Sequence, residues 1–537
     1  MRALLFSLFS GSLLLSAGQP PNLASIARDA GPHTQPFDAS KYAQVRYVAA
    51  GHGSDASGDG SAARPWQSIA RAMQSTSSPA AGHRAAILVA AGVYTGAAIQ
   101  MKPRVDLFGG FTTDWKRDIA ANPSILDGQS EHRLVNASDD ATLDGFTFRN
   151  GRVRGFGGAV LCDGTSPRLS NNVFTGNSTL PPESWKPDHW HESANDGGAI
   201  ACRSHCSAVI EHNRFENNFT EVGRGGAIAV AGHSSARIIG NLVMDNRTGL
   251  SDPSRSSDGG GISIFDHSNG EISGNVVQGN QNVNKNDGGG VFVALWSAPS
   301  ISNNLIVGNQ GSDDGGGLFV GGQQHHYGTP FDPVPPASQF DIHVTGNAII
   351  GNVAAGGPSG AMRITMETRG EFDDNLVARN QGAMYFQRSE IRARDNIIAG
   401  DLLFVESKST VKPGVFQHDL FGGTVSVQAP ASFENCFMGP DAPFLPDGMT
   451  TAATTVSTDK RDDTTRIGLS HVQLEPNEWT GRVLRIGKTF LVIRGNQSNA
   501  VTVWGQAVVQ PGEAVEILPS YRPIAGKIFP EVKKAAK

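Results

Sequence analysis

The chain has 537 residues, 65 of them Gly, with 7% aromatic and 18% charged residues and a formal net charge of −6. That length suits an elongated domain plus a small extra module. A mild negative charge with no basic cluster lacks the electrostatic footprint of nucleic-acid binding, so no nucleic-acid partner is expected.

Arg2, the apolar run Ala3 to Ala17 and the small residues Ser16, Ala17 and Gly18 read as a secretory signal peptide over residues 1–18. The run is short for a membrane span and no later stretch qualifies, so a secreted mature chain without a transmembrane segment is expected. Residues 19–43 read as a flexible N-terminal segment. Residues 44–123 read as a cap with the first coils of the domain that follows. Between 44 and 96 the sequence holds a strand, a Gly/Asp loop, a helix and another strand. Pro65 can start the helix, with Trp66, Ile69, Ala70 and Met73 on one face to cover the open apolar end of the repeats.

From 124 to 449 one phrase recurs: two glycines, a small residue and an aliphatic, then an Asn, then a second Asn five residues on. It stands as GGAV at Gly157 with Asn172 and Asn177, GGAI at Gly197 with Asn213 and Asn218, and GGAI at Gly225 with Asn241 and Asn246. It continues as GGGI at Gly259 with Asn275 and Asn280, GGGV at Gly288 with Asn304 and Asn309, and GGGL at Gly315 with Asn347 and Asn352. Weaker copies follow at Ser359, with Asn375 and Asn380, and at Gln381, with Asn396. The aliphatics within a unit alternate as in short strands, and the shortest unit leaves no room for a crossover helix. Such units wind as a parallel β-solenoid, one unit per coil. Equivalent positions of neighbouring coils then lie about 4.8 Å apart, so the repeated Asn residues form bonded columns and the Gly pairs form tight corners.

Cys162 and Cys202 share one repeat position, which would bring their Cα atoms about 4.8 Å apart. Cys202 with Cys206 across a corner is the rival pairing, and buried thiols are a third alternative for these residues and Cys436. From 450 to 537 the repeat stops. GRVLRIG, TFLVIRG and NAVTVWG read there as three strands of a small separate β module at the far end.

The opening YVAAGHGSDASGDGSAARPWQSIARAM with ILVAAGVYTG, then LFGGF at Leu107 and SILDG at Ser124, resembles the pectate-lyase-like superfamily of right-handed parallel β-helix proteins. The GGAI phrases with FTGN at Phe174 and FENN at Phe215 are similar to repeats of polymorphic outer-membrane proteins. The resemblance covers roughly residues 44 to 440. It implies an all-β, right-handed parallel β-helix, and it leaves open lyases, hydrolases, epimerases, adhesins and surface proteins without activity. The only GHG, Gly51 to Gly53, falls in the opening loop, away from where glycosidases of this fold place theirs. No long membrane barrel of the autotransporter type follows the repeats.

Three columns could carry chemistry. The residue after each aliphatic points outward, giving Phe292, Phe319, Arg363 and Tyr385, with His267 and Trp296 beside them. Such a strip of rings and polar groups suits stacking on sugar rings, unless an inserted loop such as Gly321 to Ser338 covers it. His205, His233 and His267 form a second column. Its outer backbones would be about 9.6 Å apart, too far for all three to share one ion easily, so a stacking ladder or a solvated edge is expected. The residue before each Gly pair gives Asp196, Arg224, Asp258, Asp287 and Asp314. Asp258, Asp287 and Asp314, with Lys285 nearby, resemble the Ca²⁺-binding carboxylates and base of uronate-cleaving family members. Ordinary Asp-Gly turns account for the same residues. The insertion Thr179 to Asn195 adds Trp185, Asp188, His189, Trp190, His191 and Glu192 to one loop. The combined expectation is a secreted β-helix that binds or processes a polysaccharide or cell-surface glycan through a lateral face, whether or not it is an enzyme. A non-catalytic surface solenoid and a Ca²⁺-dependent lyase are the alternatives.

Overall fold

In the coil that opens at Gly157, the chain runs through four short strands, Val160–Asp163, Arg168–Ser170, Val173–Thr175 and Ser178–Leu180. Each belongs to a different sheet. Among the described residues, and in the order visited, sheet I has 12 strands, sheet II 14, sheet III 14 and sheet IV 7. Neighbouring rungs pair in parallel and in register. Ile200, Ile228, Ile262, Val291 and Leu318, the aliphatic of each phrase, lie directly over one another and are fully buried in one continuous core. The architecture, a right-handed parallel β-helix, is that expected. It is seen in a computed structural model that describes residues 23–186, 195–249, 257–283, 286–322, 341–366, 368–405, 414–438, 448–460, 464–518 and 527–528. The expected signal peptide lies outside these residues.

The two Asn columns form the corners on either side of sheet III. Asn275 Oδ1 accepts the main-chain N–H of Asn241 at 2.8 Å and its side-chain amide at 3.0 Å. Asn275 Nδ2 in turn donates to Ile238 O and to Asn304 Oδ1, both at 2.9 Å. The same pattern runs from Asn172 to Asn396 and, at the second corner, from Asn177 to Asn380. Each amide therefore satisfies polar groups of its neighbouring rungs inside a dry corner, which is why a buried Asn is tolerated there. A third, shorter ladder was not foreseen. The hydroxyls of Ser234, Ser268 and Ser297 accept the N–H groups of Cys206, Ser234 and Ser268. At the Gly pairs, Gly225 has φ +72°, and a Cβ on its neighbour Gly226 would collide with Gly260 O of the next rung. One glycine supplies the turn and the other the close approach.

Cys202 and Cys206 form a disulfide with Cα atoms 5.6 Å apart. The across-rung alternative is not realised, although Cys162 lies in register beneath Cys202; Cys162 and Cys436 are buried thiols.

Three expectations about the ends need correction. The cap helix, α1 (Ile69–Ser75), starts after Pro65 and Trp66, because Ser68 caps it by accepting the N–H of Arg71 at 3.1 Å. Ile69, Ala72 and Met73 face the core, and Ala70 is exposed. The segment read as flexible is packed at its described start, where Ile26, Ala27, Ala30 and Gly31 are buried, and most of residues 33–43 are exposed. A short helix, Leu23–Asp29, places Ile26 and Ala27 with Ala30 against sheet III and the C-terminal module. That module does not stand beyond the far end. Its six strands close into an antiparallel barrel, which folds back so that Val483, Val492, Trp504 and Leu518 cover Leu242, Met244, Val276, Leu305 and Val307 on the outer face of sheet III. A sheet covered on both sides loses its polar alternation.

At the end of the first column, Asp419 takes the place of Asn and accepts both the N–H and the amide of Asn396 at 2.8 Å. Burial pushes its carboxyl up to about 7, with the charges of Asp395 and Asp373 adding to the effect. Two predictions follow from these ladders. Replacing Asn275 by Ala unpairs buried groups on both neighbouring rungs, and denaturant unfolding should show a loss of about 3 kcal/mol or more. For Asp419, the folded state holds a proton that the unfolded chain releases near 3.8. The stability it contributes is therefore complete at low pH and is lost as pH rises through about 7. Asp419→Asn should raise the melting temperature at pH 8, with the gain shrinking toward pH 4.

Candidate functional site

The outer face of sheet I lies between two corner columns, the Asp/Arg row before each Gly pair and the His/Trp row after each strand. Sheet I strands are only three or four residues long in this region, for example Ile262–Ile264 and Val291–Ala294. Each rung thus places one or two outward side chains between the corners. Register stacks Ser263, Phe292, Phe319, Arg363 and Tyr385 in sequence. The strip exists and points away from the solenoid core, but its apolar part is closed rather than open. Phe292 and Phe319 are 2% and 1% exposed, stacked with centroids 5.3 Å apart, and packed with Phe265, Leu295 and Ala294 in a small second core that Met366 flanks. Trp296 is buried as well. Rings on adjacent rungs stack on each other, and corner residues seal them, which leaves these two Phe rings no open surface for a sugar. Most of the inserted segment Gly321 to Ser338 lies outside the described residues, as do Asp188, His189, Trp190, His191, Glu192 and Lys285.

At the end of the strip Arg363 is half-buried and Tyr385 is buried. The guanidinium sits 4.4 Å from the centre of the Tyr385 ring, donates to Gln387 Oε1 at 2.6 Å and pairs with Asp314 Oδ2. The expected strip and the expected Asp row therefore meet at one place. Asp314 Oδ1 also accepts from Ser359 Oγ at 2.6 Å.

Along the row, each carboxylate helps to hold the next rung. Asp258 Oδ1 accepts the Asp287 N–H at 3.3 Å, and Asp287 Oδ1 accepts the Asp314 N–H at 3.2 Å. Asp258 is buried and its other oxygen lies 3.4 Å from Arg224 Nε. That guanidinium packs over the Phe265 ring. Burial raises the Asp258 carboxyl above its ordinary range, with Arg224 opposing. Asp287 is raised well above it, by burial first and then by the charges of Asp258, Asp314 and Asp313, with Arg363 opposing. Asp313, exposed at the mouth, is raised by burial and by Asp314.

Oxygens of Asp287, Asp313 and Asp314 lie within 4.8 Å of one another. This trio, and not Asp258 with Asp287 and Asp314, is the set whose oxygens can share a hard cation at 2.3–2.6 Å. Asp258 is committed to Arg224. Asp313 was missed in the sequence because only the residue directly before each Gly pair was aligned, although SDDGGG shows two adjacent acids. The trio offers Ca²⁺ three carboxylates, but Arg363 competes for Asp314.

Of the two alternatives for the His column, the structure shows the stacking ladder. His205 and His233 have centroids 5.5 Å apart and His233 and His267 4.8 Å, at interplanar angles of 21° and 16°.

Residues 134–329 match the family model described as the right handed beta helix region. Comparison with curated proteins returns no match. Among solved structures, the chain is similar to the Dettilon tailspike protein, at 10% identity and a TM-score of 0.29, covering 84% of this chain and 89% of that one. It is also similar to the tailspike of Acinetobacter baumannii bacteriophage Fri1, named as a capsular polysaccharide depolymerase, at 8% identity and a TM-score of 0.23, covering 82% and 80%. A third is a tailspike mutant of E. coli bacteriophage HK620 in complex with a pentasaccharide, at 10% identity and a TM-score of 0.21, covering 80% and 86%. No helix among the described residues is long and apolar enough to cross a membrane.

Arg363 is the cation that opposes the rise of Asp287 and Asp313. Removing it leaves ionised carboxylates facing each other, a penalty that protonation relieves. Arg363→Met should therefore lower the melting temperature more at pH 7.5 than at pH 5.

Proposed function

We propose that the protein is exported and binds a polysaccharide along the outer face of sheet I, where Asp287 acts as the proton-carrying group in cleavage of a glycosidic bond. One observation carries this reading. A carboxyl held well above its ordinary range lies beside a second carboxylate at an accessible mouth, with an Arg and a Tyr ring at its edge. Glycosidic cleavage needs a protonated carboxyl for the leaving oxygen and a second carboxylate for the nucleophile or the attacking water. Asp313, the exposed member of the trio, would take the second role as the nucleophile, because its oxygen lies within 4.8 Å of that of Asp287, too near for the intervening water of an inverting cleavage. Arg363, backed by the buried Tyr385 ring, would bear on the sugar by hydrogen bonds to its hydroxyl or carboxylate groups.

The burial of Phe292 and Phe319 favours a second reading, in which the columns serve only the fold of a non-catalytic surface solenoid. Assay of the purified protein on a panel of neutral and acidic polysaccharides separates the two. New reducing ends are expected, with the rate falling about 100-fold or more in Asp287→Asn. Binding without products would leave the glycan-binding face and remove the chemistry, and neither binding nor products would overturn the proposal. Unsaturated ends abolished by a chelator would point instead to a Ca²⁺-dependent lyase at the same trio.

A further inference from the structure

The corner between sheets I and II holds a cluster that the polysaccharide reading does not use. We propose that His233, Asp266 and His267 form a site for a transition-metal dication of the zinc class. One ligand atom from each of the three lies within 4.8 Å of the others. His267 Nδ1 is 3.2 Å from Asp266 Oδ1. The His267 side chain is only 8% exposed, and its Nε2 is buried with no hydrogen-bond partner.

Stacking explains the face-to-face rings but not that nitrogen. A buried imidazole nitrogen is costly unless something engages it. With Nδ1–H directed at Asp266, the Nε2 lone pair is the one available to a metal, so His267 and His233 are the ligands, and Asp266, on the far side of the His267 ring, fixes its tautomer and strengthens it as a ligand. His233 supplies a second imidazole from the rung alongside. It is exposed, so its ring can turn to close the remaining gap toward the spacing that Zn–N bonds of about 2.0–2.1 Å require. Water fills what the protein leaves open.

The backbone holds the corner in place. His233, Asp266 and His267 have φ of +57°, +56° and +55°. The His233 N–H donates to Asp266 O at 3.0 Å, and the His267 N–H donates to Leu295 O at 2.8 Å. Two imidazole nitrogens suit zinc-like ions, whereas an all-oxygen trio such as Asp287, Asp313 and Asp314 suits calcium. The two sites are thus chemically distinct. His205 stacks on the far side of His233 and lies outside the set of three.

The test is calorimetric titration of the full chain, carrying no histidine tag, with Zn²⁺, together with visible absorption after loading Co²⁺. The proposal expects one equivalent bound at micromolar affinity or tighter, with intense tetrahedral Co²⁺ bands. Affinity should fall at least tenfold in His267→Gln and in His233→Gln, the latter checked by an unchanged melting temperature without metal because His233 stacks between His205 and His267. His205→Gln and Asp313→Asn should bind as the parent does. Absence of uptake, uptake unchanged in both His233→Gln and His267→Gln, or uptake lost only in Asp313→Asn would overturn it.

Discussion

The structure depends on one interaction, the hydrogen bond that each buried Asn amide makes to the rung beside it. A strand of three residues makes few ladder bonds, and short parallel strands alone would slip or fray. The Asn side chain adds bonds at the corner itself, where the backbone leaves its sheet and its polar groups would otherwise be buried without partners. Because the amide both donates and accepts, the column can be extended indefinitely. Its end at Asp419 shows the limit, since a carboxyl there can accept but can donate only when protonated.

Once the rungs are locked, every other repeated position is forced into a column. Apolar columns gain from this, as with the stacked Phe148, Phe174 and Phe215 inside the core and Phe292 with Phe319 outside it. Acidic columns lose, and the molecule offsets the loss in two ways. It interrupts the row with Arg224 and sets Arg363 against Asp314, and at Asp287, where Arg363 opposes only in part, burial and neighbouring charge favour the protonated form. The same spacing that builds the fold therefore creates a carboxyl with shifted proton affinity on a rigid lateral face.

The solenoid was legible because its signals are local and repeated. The Gly pair, the Asn five residues from the next Asn and the alternating aliphatics each have a physical cause that acts within one coil. The exposure of Phe292 and Phe319 was not legible, because their direction follows from strand alternation while their covering comes from Phe265 and Leu295 on other turns. The docking of the C-terminal barrel left a signal that went unread. Leu242–Met244, Leu305–Val307 and Ala348–Ile350 are apolar at all three positions, so both faces of sheet III had to be covered. Asp266 escaped notice because the column was aligned on His267, one residue later, and proximity across rungs involves both.

The account stands most directly on the protection of the Asn corners. Native-state hydrogen exchange, read by mass spectrometry on peptides spanning Asn172 to Asn396, measures it. The main-chain amides of Asn241, Asn275 and Asn304 should exchange only with global unfolding, as slowly as those of the adjoining strands. Exchange of these amides at the rate of open loops, while the strands stay protected, would contradict it.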